Sequence, residues 1–259
     1  MGIVQTRSSL LGLKRITETR YLGESHMHKI ALEEHFMAPG LEEYEGAVRK
    51  TMQSETYDKL GKRLQDFTDE RIEAMDKAGI DIVVLSQTSP GLQIEKDVKT
   101  AVRKATEAND FLAERISKNS KRFRGFAHLA LQDPSAAANE LERCVKQLGF
   151  KGAMINGHTN GIYLDEAVNA PFWDKVAELD VPIYLHPADS FDTPHMYNGR
   201  KELSGAFWAW TVETGTHALR LVVSGFFERY PTVRIILGHM GETIPFMLWR
   251  YDSRWKQYG

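Results

Sequence analysis

VPIYLHP, at residues 181–187, is a short apolar run that presents a histidine, His186, and stops on a proline. VRIILGHMGE, at residues 233–242, repeats the plan: an apolar run, Gly238, then His239, with Glu242 three residues further on. A continuous apolar run of about four to eight residues bounded by turn residues is the pattern of a strand buried on both faces. KIALEEHF, at residues 29–36, starts in the same way and ends in Glu33 and His35. Strand alternation puts those two side chains on one face. Catalytic groups of a parallel β/α barrel are carried at the C-terminal ends of its strands. Three strands that end on imidazole or carboxylate therefore predict a barrel whose mouth gathers metal ligands.

The rest of the chain alternates in the same sense. IDIVVLSQ, RFRGFAHLAL and KGAMING are the intervening strands. Between the strands lie the helical stretches TDERIEAMDKAG (N-cap at Thr68 or Asp69), EKDVKTAVRKATEANDFLAERISK, DPSAAANELERCVKQLG and DEAVNAPFWDKVAELD. Asp133 as N-cap, Pro134 in the first helical position and Gly149 at the close are ordinary helix punctuation. A helix-rich stretch precedes residue 233, and GETIPFMLWRYDSRW reads as a last helix. The fold class is thus α/β, a (β/α) barrel of the TIM type with about six of its eight βα units present. Two more units would need on the order of 60 further residues, so the chain reads as C-terminally truncated. The polar excursion over residues 37–64, with Tyr44 and Tyr57, follows the first strand and is expected to lie over the mouth as part of a substrate lid. Residues 1–28 mix Ser, Thr and basic side chains without a secretory apolar core, and are set apart as a leader or extension of residues 29–259, the barrel domain.

Composition narrows the function classes. Hydrophobic content of 42% and charged content of 26% suit one soluble globular domain. A formal net charge of -2 gives no reason to expect nucleic acid or an anionic membrane as partner. No apolar run approaches the roughly 20 residues that span a bilayer. The single Cys144 excludes an internal disulfide framework and fits a reducing, cytoplasmic compartment. No G-x-S-x-G elbow, phosphate loop or dinucleotide fingerprint is present.

The chemistry therefore rests on the histidines and their carboxylates. Glu33 and His35 offer one oxygen and one imidazole nitrogen, and with His186 and His239 at equivalent strand ends they suit a divalent ion, zinc or manganese. Glu242 stands where it can orient His239, and the pair is suited to moving protons. His128, at the end of the third strand, and Asn156, after the fourth, are candidates to face the substrate. His158 lies in a glycine-rich loop at the same end. His195 falls in the loop after the fifth strand, and mid-helix His217 is read as structural. Phe207, Trp208 and Trp210 are read mainly as helix packing, with an apolar pocket as the other use.

ALEEHF, FAHLALQDPSAAANELERCVKQLGFKGAMING, FWDKVAELDVPIYLHP and HALRLVVSGFFERYPTVRIILGHMGE together resemble the amidohydrolase-superfamily decarboxylases, nearest the γ-resorcylate and 2,3-dihydroxybenzoate branch. The resemblance runs from about Lys29 to Trp255. It implies non-oxidative decarboxylation of a small aromatic carboxylic acid at a single divalent metal, and a homo-oligomer. It also implies Glu33, His35 and His186 as metal ligands, His239 and Glu242 as the catalytic pair beside the substrate, and Arg250 as a basic substrate-binding position. That family carries a further aspartate after an eighth strand, which Asp252 does not match. It also often has arginine after the HP dipeptide, where Ala188 stands here, so the particular aromatic acid is left open. A mononuclear hydrolase, or a non-catalytic relative that associates through apolar surface, are the other readings. Asn156, standing where a binuclear hydrolase would need a bridging group, favours one metal and decarboxylation.

Overall fold

A buried parallel strand needs a helix on its outer face, and the sequence supplies one after nearly every strand. The computed structural model describes residues 27–258 apart from residues 47, 48, 50 and 51. The extension expected over residues 1–28 lies outside the described residues except for its last two. Six strands follow in order: β1 Ile30–Phe36, β2 Ile82–Gln87, β3 Phe123–Gly125, β4 Ala153–Asn156, β5 Ile183–His186 and β6 Ile235–Leu237. All pairings are parallel, β1-β2-β3 and β4-β5-β6. A bridge between Ala127 and Ala153 joins the two halves into one sequential array. The helices are α1 Ser54–Gln65, α2 Asp69–Ala78, α3 Val98–Lys118, α4 Pro134–Lys146, α5 Ala170–Leu179, α6 Ala209–Val223, the short α7 Phe226–Arg229 and α8 Ile244–Tyr258.

Alternation along the strands sorts the interior into two clusters. Val83, Leu85, Phe123, Ala153, Ile155, Ile183 and Leu185 pack outward against the helices as the main core. Val84, Phe126, Met154 and Tyr184, with the partly buried Ile236, form a second, inner layer contributed by successive strands. Layers of side chains drawn from neighbouring strands are how a barrel fills its interior. Two residues further along each strand the same face carries Ser86, His128, Asn156 and His186, all buried polar groups. The site is built on that step from apolar to polar.

The helix signals hold at their N-termini. Asp97 caps α3 by accepting from Thr100 N at 2.8 Å, and Asp133 caps α4 by accepting from Ser135 N and Ala136 N. α2 departs from expectation: Thr68 occupies the N-cap position, but its hydroxyl accepts from no helix N–H and donates to Asp66 Oδ1 at 3.0 Å. Asp66 instead accepts from Thr68 N and Arg71 N. α4 ends at Lys146, and Gly149 follows with φ +74°. The excursion after β1 supplies α1. Tyr44 and Tyr57 bond the carboxylates of Glu95 and Glu45.

Candidate metal centre

β1 does not alternate simply. Ala31 pairs with Val83 while Glu34 pairs with Leu85, so β1 holds one more residue than β2 across that span. This is a bulge, a device that re-aims a side chain. Glu33 sits in it with φ +61°, a conformation that costs a non-glycine residue on the order of 1–3 kcal/mol. His239, Met240 and Glu242, beyond β6, also have positive φ (48°, 57° and 53°). The strain is concentrated at the strand ends that meet.

Each of the three candidate ligands has one atom already engaged. His186 lies 3% exposed at the end of β5, and its Nδ1 is 2.7 Å from Pro187 O. A carbonyl only accepts, so Nδ1 carries the proton and the Nε2 lone pair is left for a metal. His35 Nδ1 stands 3.2 Å from Ser86 Oγ, and its ring meets that of His186 edge-on at 4.9 Å. Glu33 Oε2 accepts from the hydroxyl of Tyr184 and from His239 N at 3.3 Å. Oε1 lies 3.5 Å from His186 Nε2. Donor atoms of Glu33, His35 and His186 all fall within 4.8 Å of one another. Donors about 2.1 Å from a shared ion stand roughly 3–4 Å apart, so the set would hold a divalent cation on closing by less than about 1 Å.

The protonation states suit ligation. Burial, reinforced by the neighbouring His186, pushes the His35 imidazole down to about 3, so it stays neutral. Burial draws the Glu33 carboxyl upward, but the neighbouring His186, the Tyr184 hydroxyl and His239 outweigh it and hold the group at about 2. A carboxylate and a neutral imidazole are the states that bind a metal.

β6 brings the fourth group. A Cβ at Gly238 would stand 2.7 Å from Pro187 Cδ and 3.0 Å from Leu185 O, so only glycine lets the end of β6 close onto β5. His239 then places Nε2 2.7 Å from Glu33 Oε1 and Nδ1 3.0 Å from Glu242 Oε1. Glu242 Oε2 accepts from the Thr211 hydroxyl at 2.6 Å. These groups open into a cavity of about 530 Å³, walled by Met52, Leu60 and Leu64 from the excursion and by Trp210 from α6. The excursion thus walls the cavity.

The other sequence candidates are placed differently. His128 is buried, and its Nε2 accepts from Leu92 N at 3.0 Å. Gly91 leaves it that room, for a Cβ there would be 2.6 Å from the His128 ring. Asn156 is buried with Nδ2 3.5 Å from the carbonyls of Gln87 and Thr88. Neither lines the cavity, and Arg250 is exposed on α8. His158 accepts from Gly161 N, and His217 accepts from Leu164 N at 3.0 Å. Trp210, read mainly as packing, sits 6.0 Å from the His186 ring and 5.7 Å from the His239 ring. Sequence reasoning passed over Tyr184, Ser86, Thr211 and Arg71. Tyr184 was within reach, since it precedes His186 by two residues on the same strand face.

The geometry can be set beside known proteins. The family model described as Amidohydrolase matches residues 25–258. A gamma-resorcylate decarboxylase of Polaromonas sp. (strain JS666) is 46% identical over 233 residues, which cover 87% of this chain and 71% of that one. A crystal structure of 2,6-dihydroxybenzoate decarboxylase complexed with 2,6-dihydroxybenzoate matches with TM-score 0.81 and 42% identity, covering 88% of this chain and 72% of the other. A dihydroxybenzoic acid decarboxylase of Polaromonas sp. JS666, with bound manganese and the inhibitor 2-nitroresorcinol, matches with TM-score 0.81 and 45% identity, covering 88% and 70%.

Proposed function

The chain belongs to the amidohydrolase family, and from that premise we propose that it catalyses metal-dependent, non-oxidative decarboxylation of a hydroxybenzoate-type aromatic acid. The observation that carries the proposal is the meeting of Glu33, His35 and His186 within 4.8 Å beside the His239–Glu242 pair. Relatives of the same architecture act on 2,6-dihydroxybenzoate, and one holds manganese in its crystal structure.

Glu33, His35 and His186 would hold one divalent ion, manganese or zinc. When bound, it supplies positive charge that orients the substrate carboxylate and an ortho oxygen and offsets their negative charge. Decarboxylation then needs a proton at the carboxyl-bearing ring carbon. As the ring–carboxyl bond breaks, its electron pair returns to the ring and CO₂ leaves. His239 moves a proton at Nε2, the ring nitrogen on the Glu33 side. Glu242 Oε1, 3.0 Å from Nδ1, sets a carboxylate beside the imidazole, and Thr211 holds the other carboxylate oxygen. Met52, Leu60, Leu64 and Trp210 give the aromatic ring an apolar wall.

Cys144 is fully buried, with burial and the nearby Glu140 pushing its thiol well up, so it stays an unreactive thiol suited to the cytoplasm. Among the described residues no helix is long and apolar enough to cross a membrane. Phe246 and Trp249 on α8 are 89% and 78% exposed, which supports association with like subunits.

The test is a substrate panel offered to the manganese-loaded chain: 2,6- and 2,3-dihydroxybenzoate, and an aryl ester and a lactone. Resorcinol or catechol with equimolar CO₂, lost on chelation and restored by manganese, is expected. Cleavage of the ester or lactone with both hydroxybenzoates untouched would make it a hydrolase.

A further inference from the structure

The inner layer of the array takes one side chain from each of five strands or their ends: Val84, Phe126, Met154, Tyr184 and Ile236. Four of the five are hydrocarbon or thioether, as a filled barrel interior requires. Tyr184 alone carries a strong hydrogen-bonding group into that layer. Its ring packs 6.1 Å from the Phe126 ring, and the residue is 5% exposed. A phenylalanine would fill the same space without a buried hydroxyl to satisfy. The hydroxyl is spent on one acceptor, Oε2 of Glu33.

The bond matters because of what it leaves over. A carboxylate can bind a metal through one oxygen or both. Here Oε2 is taken by the Tyr184 hydroxyl and by His239 N at 3.3 Å, while Oε1 lies 2.7 Å from His239 Nε2 and 3.5 Å from His186 Nε2. Glu33 is also the residue whose backbone is strained in the β1 bulge, with φ +61°. A side chain on strained backbone keeps its direction only when its surroundings hold it there. On β5, Tyr184 and His186 share a face two residues apart, so one strand supplies both a ligand and the clamp on another ligand.

We propose that Tyr184 is a positioning residue for Glu33: its hydroxyl engages Oε2 and so presents Oε1 alone to the point shared with His35 and His186. The inference rests on the metal-dependent function proposed above. It assigns Tyr184 no contact with substrate. Its effect is on how tightly and with what geometry the metal is held.

Tyr184→Phe removes one oxygen and keeps the ring. Phe126→Leu perturbs the same layer without touching the carboxylate. Both variants and the parent chain, stripped of metal, are titrated with Mn(II) while the free-ion electron paramagnetic resonance signal is followed, and each melting curve is recorded alongside. Loss of an outer partner of a ligand weakens metal binding by about 10- to 100-fold. That loss is expected in Tyr184→Phe, with an altered spectrum for the bound ion. Phe126→Leu should bind as the parent does even if it melts lower. Parent-like affinity in Tyr184→Phe, or equal weakening in both variants, overturns the proposal and leaves the metal site standing. A parent chain that takes up no Mn(II) overturns the proposal and the metal-dependent function together.

Discussion

Glu242 touches His239 through one oxygen and Thr211 through the other, so its work is to hold an imidazole rather than to bind metal. Glu242→Gln should lower kcat by about 10²- to 10⁴-fold, the usual weight of positioned acid–base groups. Mn(II) affinity should be retained, which separates proton handling from ligation in one titration and one assay. His128 has a different consequence. Burial lowers it from 6.5 to about 4, so the folded chain keeps it neutral while the unfolded chain protonates it below about pH 6.5. The stability it contributes is complete above that pH and is lost as pH falls toward 4, in total about 3 kcal/mol. His217, lowered to about 3 by burial, acts in the same direction. His128→Gln keeps an acceptor for Leu92 N and removes the titration. Urea unfolding at pH 7 and pH 4.5 should therefore show a smaller acid loss for this variant than for the parent.

The strand ends were legible because apolar runs stopping on His186 and His239 have few other uses in a buried parallel sheet. The bulge in β1 was not legible. Alternation put Glu33 and His35 on one face, and the chain brings both to the centre through an extra residue and a positive φ instead. His128 and Asn156 read as substrate-facing from their strand positions, but Leu92 N already occupies His128 Nε2, and neither residue lines the cavity. Arg71 carried no sequence signal at all. Its guanidinium donates to His35 O at 2.8 Å, Arg63 O at 3.0 Å and Asp66 O at 2.8 Å, tying β1 to the end of α1 and the start of α2. Arg71→Ala takes the donor from two partly buried carbonyls, those of His35 and Asp66, and should cost on the order of 2 kcal/mol. It should also loosen the wall formed by α1, seen as faster proteolysis within residues 52–66. Asp133→Ala removes only the cap of α4, far from the centre. A loss of about 1 kcal/mol, or roughly 2–4 °C in Tm, with metal binding unchanged, would mark it as structural.

Across the molecule, six parallel strands in sequential order put every working group at one end, which is why so much of the centre could be read from strand endings alone. What the sequence could not display was the support from Ser86 and Thr211, because each acts across strands or from a helix. Among the described strands β1 pairs only with β2 and β6 only with β5. With Phe246, Trp249 and Trp255 exposed on α8, this surface predicts self-association, visible as concentration-dependent sedimentation. A monomer at every concentration would contradict it. The measurement that bears hardest on the whole molecule is the position of manganese in a crystal, read from its anomalous scattering. A single peak within about 2.0–2.3 Å of Glu33 Oε1 and of one ring nitrogen each of His35 and His186 is the expected result. A peak elsewhere, or none at a manganese concentration that supports decarboxylation, would contradict it.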